Sequence, residues 1–280
     1  MITPRHRVLP SSGWLLVSTD LHGNLEDFRA LERVAEDAWR AGVELHWAVL
    51  GDLVHGPDAE AAARTPQLHG FPDDSPALID ALTAVMARHP GRVHFVLGNH
   101  DAGHLGFKHT GKFHPDEVEA LEARLTVGQR DRLQRLCSEA LLALVAPCGL
   151  LLTHGAPGDA VETLAMLDGP LPPERPDDAR FRAVNELLWS YGQPGPVAAR
   201  LLARVSAETG HELRVVVHGH DRDESGWFIE GENQVQPVLF GAPREQKRYL
   251  WVDLSLPVSS CQALEREALR RLYPLRDGGD

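Results

Sequence analysis

The sequence has few cysteines and no long apolar run. Its three cysteines in 280 residues, Cys137, Cys148 and Cys261, show no C-x-x-C spacing, so we expect buried thiols in a reducing compartment rather than a disulfide framework. No stretch approaches the roughly 18 apolar residues of a membrane span. Residues 1–10 contain no apolar core long enough for a signal peptide. These absences predict a cytoplasmic protein that does not enter a membrane.

Positive charge is also scarce, with 28 lysines and arginines against 40 aspartates and glutamates and a net charge of −12. Because phosphate backbones require clustered lysines and arginines, this composition argues against a nucleic-acid partner. It does not argue against a small phosphorylated substrate, since a bound metal can supply local positive charge. Histidine, by contrast, is abundant with 15 residues, and it is the commonest metal ligand in proteins.

Apolar runs alternate with helical patterns along most of the chain. We predict strands at 14–19, 46–50, 93–97, 149–152 and 213–217, with helices between the first three. This alternation is typical of an α/β layered fold. Short antiparallel strands are predicted near the end of the chain, at 226–229, 235–239 and 249–253. A helical tail over about 260–280 follows, and we expect one domain over residues 1–280.

Each of the five main strands ends in polar side chains of similar chemistry. The strand ends are Asp20-Leu21-His22, Gly51-Asp52, Asn99-His100-Asp101, His154-Gly155 and His218-Gly219-His220. Such ends converge on one edge of a layered sheet, where ligands bind. Carboxylate, imidazole and amide oxygen groups suit manganese, iron, zinc, cobalt or nickel. The groups suffice for two metals sharing a carboxylate, an arrangement that clamps the oxygens of a phosphoryl displacement.

In this order the motifs resemble those of the calcineurin-like metallophosphoesterases. They are most similar to the phosphoprotein phosphatase branch, whose pattern is G-D-x-H-G, G-D-x-V-D-R-G, G-N-H-E, H-G-G and a late histidine. The segment Leu239-Phe240-Gly241-Ala242-Pro243 resembles the F-S-A-P segment of the same branch. The resemblance covers about residues 14–253. It implies a layered β-sandwich of mixed sheets, flanked by helices.

The resemblance also implies a role for each motif residue. The expected metal ligands are Asp20 and His22 for the first ion, Asp52 as the bridge, and Asn99, His154 and His220 for the second. The cofactors would be two divalent ions, with manganese favoured in vitro. His100 would protonate the leaving-group oxygen, held in position by a nearby carboxylate. The nucleophile would be a metal-bridging hydroxide.

The chain departs from the branch pattern at Val54-His55-Gly56-Pro57. It therefore lacks the aspartate that partners the catalytic histidine and the arginine that clamps phosphate. His55 is predicted either to replace that aspartate or to contact substrate. The branch's second phosphate-binding arginine has no clear match either. Arg244 and Arg222 are candidate substitutes for it, the alternative for each being a solvated surface arginine. Asp101 stands where the branch has glutamate, whose side chain is one methylene longer. The shorter side chain of Asp101 could change the hydrogen bonds that hold this turn.

Two further histidine groups allow more than one interpretation. His218 lies outside the Gly219-His220 pair, so we predict a supporting or structural role rather than ligation. The segment 102–115 contains His104, His109 and His114. It is predicted to be a solvated loop that lines the cleft, with a third metal site as the alternative.

The predicted function is a dimetal phosphomonoesterase that resembles Ser/Thr protein phosphatases. Its substrate would be a phosphoprotein or a nucleotide. The alternative activities are hydrolysis of a dinucleoside polyphosphate or of a phosphodiester. A scaffold with the same fold and no turnover is the alternative outside catalysis, and the intact ligand motifs argue against it.

Overall fold

The computed structural model describes residues 3–274. One sheet has six strands in the order β1-β5-β6-β7-β9-β8. Their bounds are β1 (His6–Val8), β5 (Ala143–Ala146), β6 (Leu150–Leu152), β7 (Val215–Val217), β8 (Trp227–Glu230) and β9 (Gln234–Pro237). The pairs β6·β7 and β7·β9 are parallel, whereas β5·β6 and β8·β9 are antiparallel. This sheet is therefore mixed.

The second sheet has five strands in the order β11-β10-β2-β3-β4. Their bounds are β2 (Trp14–Thr19), β3 (Leu45–Leu50), β4 (Val93–Val96), β10 (Arg248–Asp253) and β11 (Leu269–Arg271). Strands β2, β3 and β4 are parallel, and β10 runs antiparallel to β2. The two sheets together confirm the predicted layered sandwich of mixed sheets.

Helices follow most of the parallel strands. Their bounds are α1 (Leu25–Arg40), α2 (Ala59–Arg64), α3 (Pro66–His69), α4 (Ser75–Arg88), α5 (Asn99–Ala102), α6 (Glu117–Glu122), α7 (Val127–Glu139), α8 (Ala179–Trp189), α9 (Gly195–Thr209) and α10 (Cys261–Glu267). The Asn24 side chain accepts the Asp27 N–H at 3.0 Å and so caps α1. Within residues 3–274, no helix combines the length and apolarity needed to cross a membrane.

The core has two apolar layers because side chains alternate along each strand. Leu15 and Val17 of β2 point into the space between the two sheets, where they join Leu152 of β6 and Val217 of β7. Leu16 points the other way and joins the layer between this sheet and its helices. Both faces of the central strands are therefore buried, which leaves the strand ends as the positions where polar side chains can gather.

The predicted helical tail over 260–280 is only partly correct. Helix α10 ends at Glu267, and residues 269–271 form the edge strand β11 beside β10. The Trp251 N–H of β10 donates to the Ala268 carbonyl at 2.8 Å. A strand here gives the exposed edge of β10 its hydrogen-bond partners, which a continued helix would not. Residues 275–280 of the predicted tail lie outside the described residues.

A buried ion pair joins α1 to the segment before β10. Asp27 and Lys247 are 2% and 5% exposed and form this pair. Tyr273 Oη donates to Asp27 Oδ1 at 2.8 Å. Because both charges are removed from water, the loss of one partner leaves the other buried without compensation.

We therefore expect Asp27→Asn to lower the free energy of unfolding by about 3–5 kcal/mol. The matched control is Glu26→Gln, which removes the neighbouring but exposed pair between Glu26 and Arg244 and should cost less than about 1 kcal/mol. Urea denaturation followed by tryptophan fluorescence measures both values. Equal losses in the two variants would contradict the importance of the buried pair.

Candidate active site

The parallel strands of both sheets end at one edge of the sandwich. Thr19 of β2 pairs with Leu50 of β3, which pairs with Val96 of β4, so these strands end in register. In the other sheet, Leu152 pairs with Val217 in the same way. The loops that leave these ends bring together the six predicted metal ligands: Asp20, His22, Asp52, Asn99, His154 and His220.

The backbone at this edge is strained. Among the described residues, the non-glycine residues with positive φ are Asp20 (38°), His22 (43°), Asp52 (49°), His55 (69°) and His220 (74°). Each such conformation costs about 1–3 kcal/mol and persists only where the surrounding structure holds it, which is typical of functional sites. All five belong to the predicted site residues.

The Asp52 carboxylate lies at the centre of the cluster. Its Oδ2 is 3.6 Å from His22 Nε2, and its Oδ1 is 3.4 Å from His154 Nε2. Oδ1 also accepts the His100 backbone N–H at 3.0 Å. The two oxygens thus face histidines on opposite sides, the arrangement expected of a carboxylate that bridges two ions.

Backbone carbonyls orient the histidine rings around Asp52. His22 Nδ1 donates to the His55 carbonyl at 3.1 Å, and His154 Nδ1 donates to the Leu50 carbonyl at 2.8 Å. In a neutral ring this leaves the Nε2 lone pair free, and metal-ligating histidines are held in the same way. Both lone pairs point at carboxylate oxygens, with which they cannot form a hydrogen bond.

The remaining predicted ligands, Asp20, Asn99 and His220, lie close to one another and complete the cluster. Asn99 Oδ1 lies 3.1 Å from both His154 Nε2 and His220 Nδ1. Asp20 accepts the His220 N–H at 3.1 Å. The groups His22-Asp52-His100 and Asp52-His154-His220 each bring three ligand atoms close enough for one ion.

Burial and neighbouring charges shift the pKa values of several groups in this cluster. Burial raises the pKa of Asp20 well above its usual value, and the nearby Asp52 charge raises it further. Burial opposes ionisation of Asp52 too, but the surrounding histidines, His154 first, outweigh it and lower its pKa. Burial also lowers the pKa of His22 well below its ordinary value. Two adjacent buried carboxylates beside imidazole and amide donors fit divalent cations, so these residues could hold the expected metals.

His100 pairs with a carboxylate that the sequence did not indicate. Its Nδ1 lies 3.1 Å from Oε2 of Glu117, the first residue of α6. The Thr110 hydroxyl and the Phe113 N–H donate to the same carboxylate. Burial opposes ionisation of Glu117, but its hydrogen bonds and the His100 charge lower its pKa to about 2. An acidic residue at a helix start is common, so no sequence signal set Glu117 apart.

His55 is a buried neighbour of His100. Its Nδ1 lies 3.2 Å from His100 Nδ1, and its Nε2 lies 3.0 Å from His104 Nε2. Burial, reinforced by His100 and His104, lowers the pKa of His55 to about 2, so the ring is neutral. His104 is 7% exposed and bonds Glu122 through Nδ1 at 3.2 Å. The predicted solvated loop therefore turns one of its three histidines into the interior.

Asp101 and His218 lie beside the cluster rather than in it. The Asp101 carboxylate accepts the Leu53 N–H at 3.0 Å and the Gly98 N–H at 3.1 Å, so it braces the two turns that hold Asp52 and Asn99. Burial raises the pKa of Asp101 to about 7. His218 is buried and its Nδ1 donates to the Gly219 carbonyl at 2.9 Å.

A pocket of about 480 Å³ opens over the ligand cluster. Arg222 lines it, as does Lys112, a residue that no sequence motif indicated. Lys112 is exposed as a whole, but its ammonium lies 4.4 Å from the Phe240 ring centre. Burial of that group, with the nearby Arg222 charge, lowers its pKa to about 8. Trp189 and Tyr191 supply an aromatic wall.

Arg244 does not join this pocket among the described residues. Its guanidinium donates to Glu26 at 2.6 Å and lies 3.5 Å above the Tyr273 ring centre. The prediction that Arg244 binds phosphate is thus not supported by its position. The physical reason is that the Glu26 carboxylate, at the start of α1, and the Tyr273 ring hold the side chain outside the pocket.

The sequence and fold define the class of this protein. The family model of the calcineurin-like phosphoesterases matches residues 13–223, and the chain belongs to that family. It is a metallophosphoesterase, a phosphoric ester hydrolase. No curated protein sequence matches the chain significantly.

Solved structures with similar folds include two phosphatases. A protein serine/threonine phosphatase from Saccharomyces cerevisiae is 17% identical, with a TM-score of 0.54, over 90% of this chain and 77% of that one. A cold-active protein-tyrosine phosphatase from a psychrophilic Shewanella is 12% identical, with a TM-score of 0.57, over 91% of this chain and 78% of that one. At these identities the likeness concerns the fold.

We expect Asp52→Asn to lower the bound metal, because an amide offers one neutral oxygen where the carboxylate offers two charged ones. Elemental analysis after reconstitution with manganese measures the loss, which should approach one or both ions per chain. The matched control is Asp221→Asn, since Asp221 lines the same pocket outside the ligand cluster. Full metal content in Asp52→Asn would refute the bridging role.

Proposed function

We propose that this metallophosphoesterase is a dimetal-dependent phosphomonoesterase in which His100 is the general acid. The observation that carries the proposal is the 3.1 Å contact between His100 Nδ1 and the buried Glu117 carboxylate, at the wall of the metal-ligand pocket. A carboxylate that holds one imidazole nitrogen stabilises the protonated ring and leaves the other nitrogen for substrate.

The metal ions would be held by the residues of the ligand cluster. Asp20 and His22 would bind the first ion, Asp52 both ions, and Asn99, His154 and His220 the second. When bound, such ions polarise the phosphoryl oxygens and acidify a coordinated water. Manganese is the ion we favour for assays in vitro, and iron, zinc, cobalt and nickel suit the same donors.

Glu117 positions His100 in this proposal and takes the place of the aspartate that the chain lacks at His55. Its carboxylate accepts the Nδ1 proton, so Nε2 is the nitrogen that hands a proton to the leaving-group oxygen. His55 contributes from the other side as a neutral hydrogen-bond partner of His100. The missing aspartate is therefore compensated by a residue about 60 positions further along the chain.

Lys112 and Arg222 are the cations that would bind the substrate phosphate. Both line the pocket, and charge-assisted hydrogen bonds to phosphate are about twice as strong as neutral ones. They would replace the arginine clamp that is absent after His55. Their joint charge also suits a substrate with more than one phosphate.

The aromatic wall favours a second candidate activity, the hydrolysis of a dinucleoside polyphosphate. Tyr191 is 64% exposed at the pocket rim beside Trp189, and a nucleobase can stack on such rings. Rates with an aryl phosphomonoester, an aryl phosphodiester and a dinucleoside tetraphosphate, each with manganese, distinguish the candidates. A preference for the monoester supports the first proposal, and a preference for the tetraphosphate replaces it with the second.

We expect His100→Ala to lower kcat for an alkyl phosphate by about 10²–10⁴-fold, the usual contribution of a general acid. The loss should be much smaller for an activated aryl phosphate, whose leaving group needs no proton. Glu117→Gln should also lower kcat for the alkyl phosphate. Glu117→Asp keeps the carboxylate and should lower kcat less. Steady-state kinetics with both substrates and a metal count measure these effects. Equal losses for the two leaving groups would remove His100 from this role.

Lys112→Ala should raise KM for a phosphomonoester about tenfold, with a smaller change in kcat, because one charge-assisted hydrogen bond is lost. Arg244→Ala is the control, since Arg244 lies outside the pocket and should leave KM unchanged. Initial-rate kinetics at saturating manganese give both constants. A larger KM effect in Arg244→Ala than in Lys112→Ala would reverse the assignment.

A further inference from the structure

We propose that His55, His100 and Glu117, called here the inner triad, form a third cation site that suits Zn²⁺ and whose occupation disables His100. The inhibitory effect rests on the proposed function, because that function makes His100 the general acid. The binding itself does not. The triad shares none of its three residues with the six proposed ligands of the two-metal cluster.

The distances within the inner triad match those of a zinc site. His55 Nδ1 and His100 Nδ1 are 3.2 Å apart. Glu117 Oε2 lies 3.1 Å from His100 Nδ1 and 3.7 Å from His55 Nδ1. Ligands about 2.0–2.1 Å from a tetrahedral zinc are about 3.3 Å apart. One ion therefore fits among these three atoms without a large movement.

The hydrogen bonds around the triad leave a lone pair aimed into it. Glu122 accepts from His104 Nδ1, so His104 Nε2 is an acceptor for the Nε2 proton of His55. His55 Nδ1 then carries no proton and faces His100 and Glu117. In this arrangement His55 Nδ1, His100 Nδ1 and Glu117 Oε2 have one proton between them, which His100 Nδ1 carries. A cation that replaces it gains three ligands at once.

Outer contacts hold the three ligands as in known metal sites. His104 fixes the outer nitrogen of His55, while the Thr110 hydroxyl and the Phe113 N–H fix the Glu117 carboxylate. Such supporting bonds orient ligands and are a regular part of metal centres. Two imidazoles and one carboxylate with an open fourth position form a common zinc donor set. The side chains of the triad are 4% exposed or less, and His100 also lines the pocket.

An ion in the inner triad would occupy the nitrogen of His100 that Glu117 otherwise holds by its proton. The Glu117 carboxylate would then bind the ion and could no longer orient His100 by accepting its Nδ1 proton. We expect zinc added to the manganese-loaded protein to lower kcat by about 100-fold, with bound manganese unchanged. Zinc would thus inhibit the enzyme from a site separate from the one that holds the two catalytic ions.

The test counts ions on the manganese-loaded protein after incubation with zinc and desalting. Wild-type protein should hold about three ions per chain, two of manganese and one of zinc. His55→Ala and, as a second variant, Glu117→Gln should each hold two. His109→Ala is the matched control from the same loop region and should hold three. Cobalt in place of zinc should add a visible absorption band in wild type that both triad variants lose.

Two results would overturn the third site. One is a total of two ions in zinc-treated wild type, which would mean that zinc only exchanges with manganese. The other is a third ion that persists in both folded triad variants, with folding checked by circular dichroism. Because ions are counted without substrate, a failure of the proposed phosphomonoesterase activity would appear in the substrate panel and not in this count.

Discussion

The site requires two aspartates, Asp20 and Asp52, to be ionised or able to ionise while they are buried away from water. Asp20 and Asp52 are 3% and 2% exposed, and no lysine or arginine contacts either in the described part of the chain. Instead, His22 and His154, held by backbone carbonyls, turn Nε2 towards Asp52, and Asp20 accepts the His220 N–H. Such an arrangement is costly without a cation. The strained backbone at the strand ends and the register of the parallel strands hold these side chains in place.

Much of this arrangement could be predicted from the sequence. The buried strands are short apolar runs, and each polar strand end follows one directly, so local patterns were enough to predict which polar side chains lie together at this edge of the sandwich. The helical tail failed for a different reason. Leucine spacing near residues 264–272 suits a helix, but the free edge of β10 takes residues 269–271 as a strand. Pairing with the free edge of a sheet is a tertiary contact, which the spacing of apolar residues does not predict.

Glu117, Lys112 and the buried position of His104 could not be predicted, because each acts through contacts distant in sequence. The chain lacks the branch aspartate at His55, and the sequence offers no rule for which distant carboxylate replaces it. In the structure the loop over residues 103–116 folds onto the strand ends and delivers Glu117 to His100 and Lys112 to the pocket. In the proposed function this neighbouring loop compensates for the substitution at His55, and it also supplies Glu117 to the inner triad.

The most direct test of the account is the rate of aryl phosphomonoester hydrolysis as manganese is added stepwise to metal-free protein. We predict little turnover at one ion per chain and a plateau at two, because Asp52 would bind both ions in one site. A plateau at a single ion, or no hydrolysis at any loading, would contradict a dimetal phosphomonoesterase.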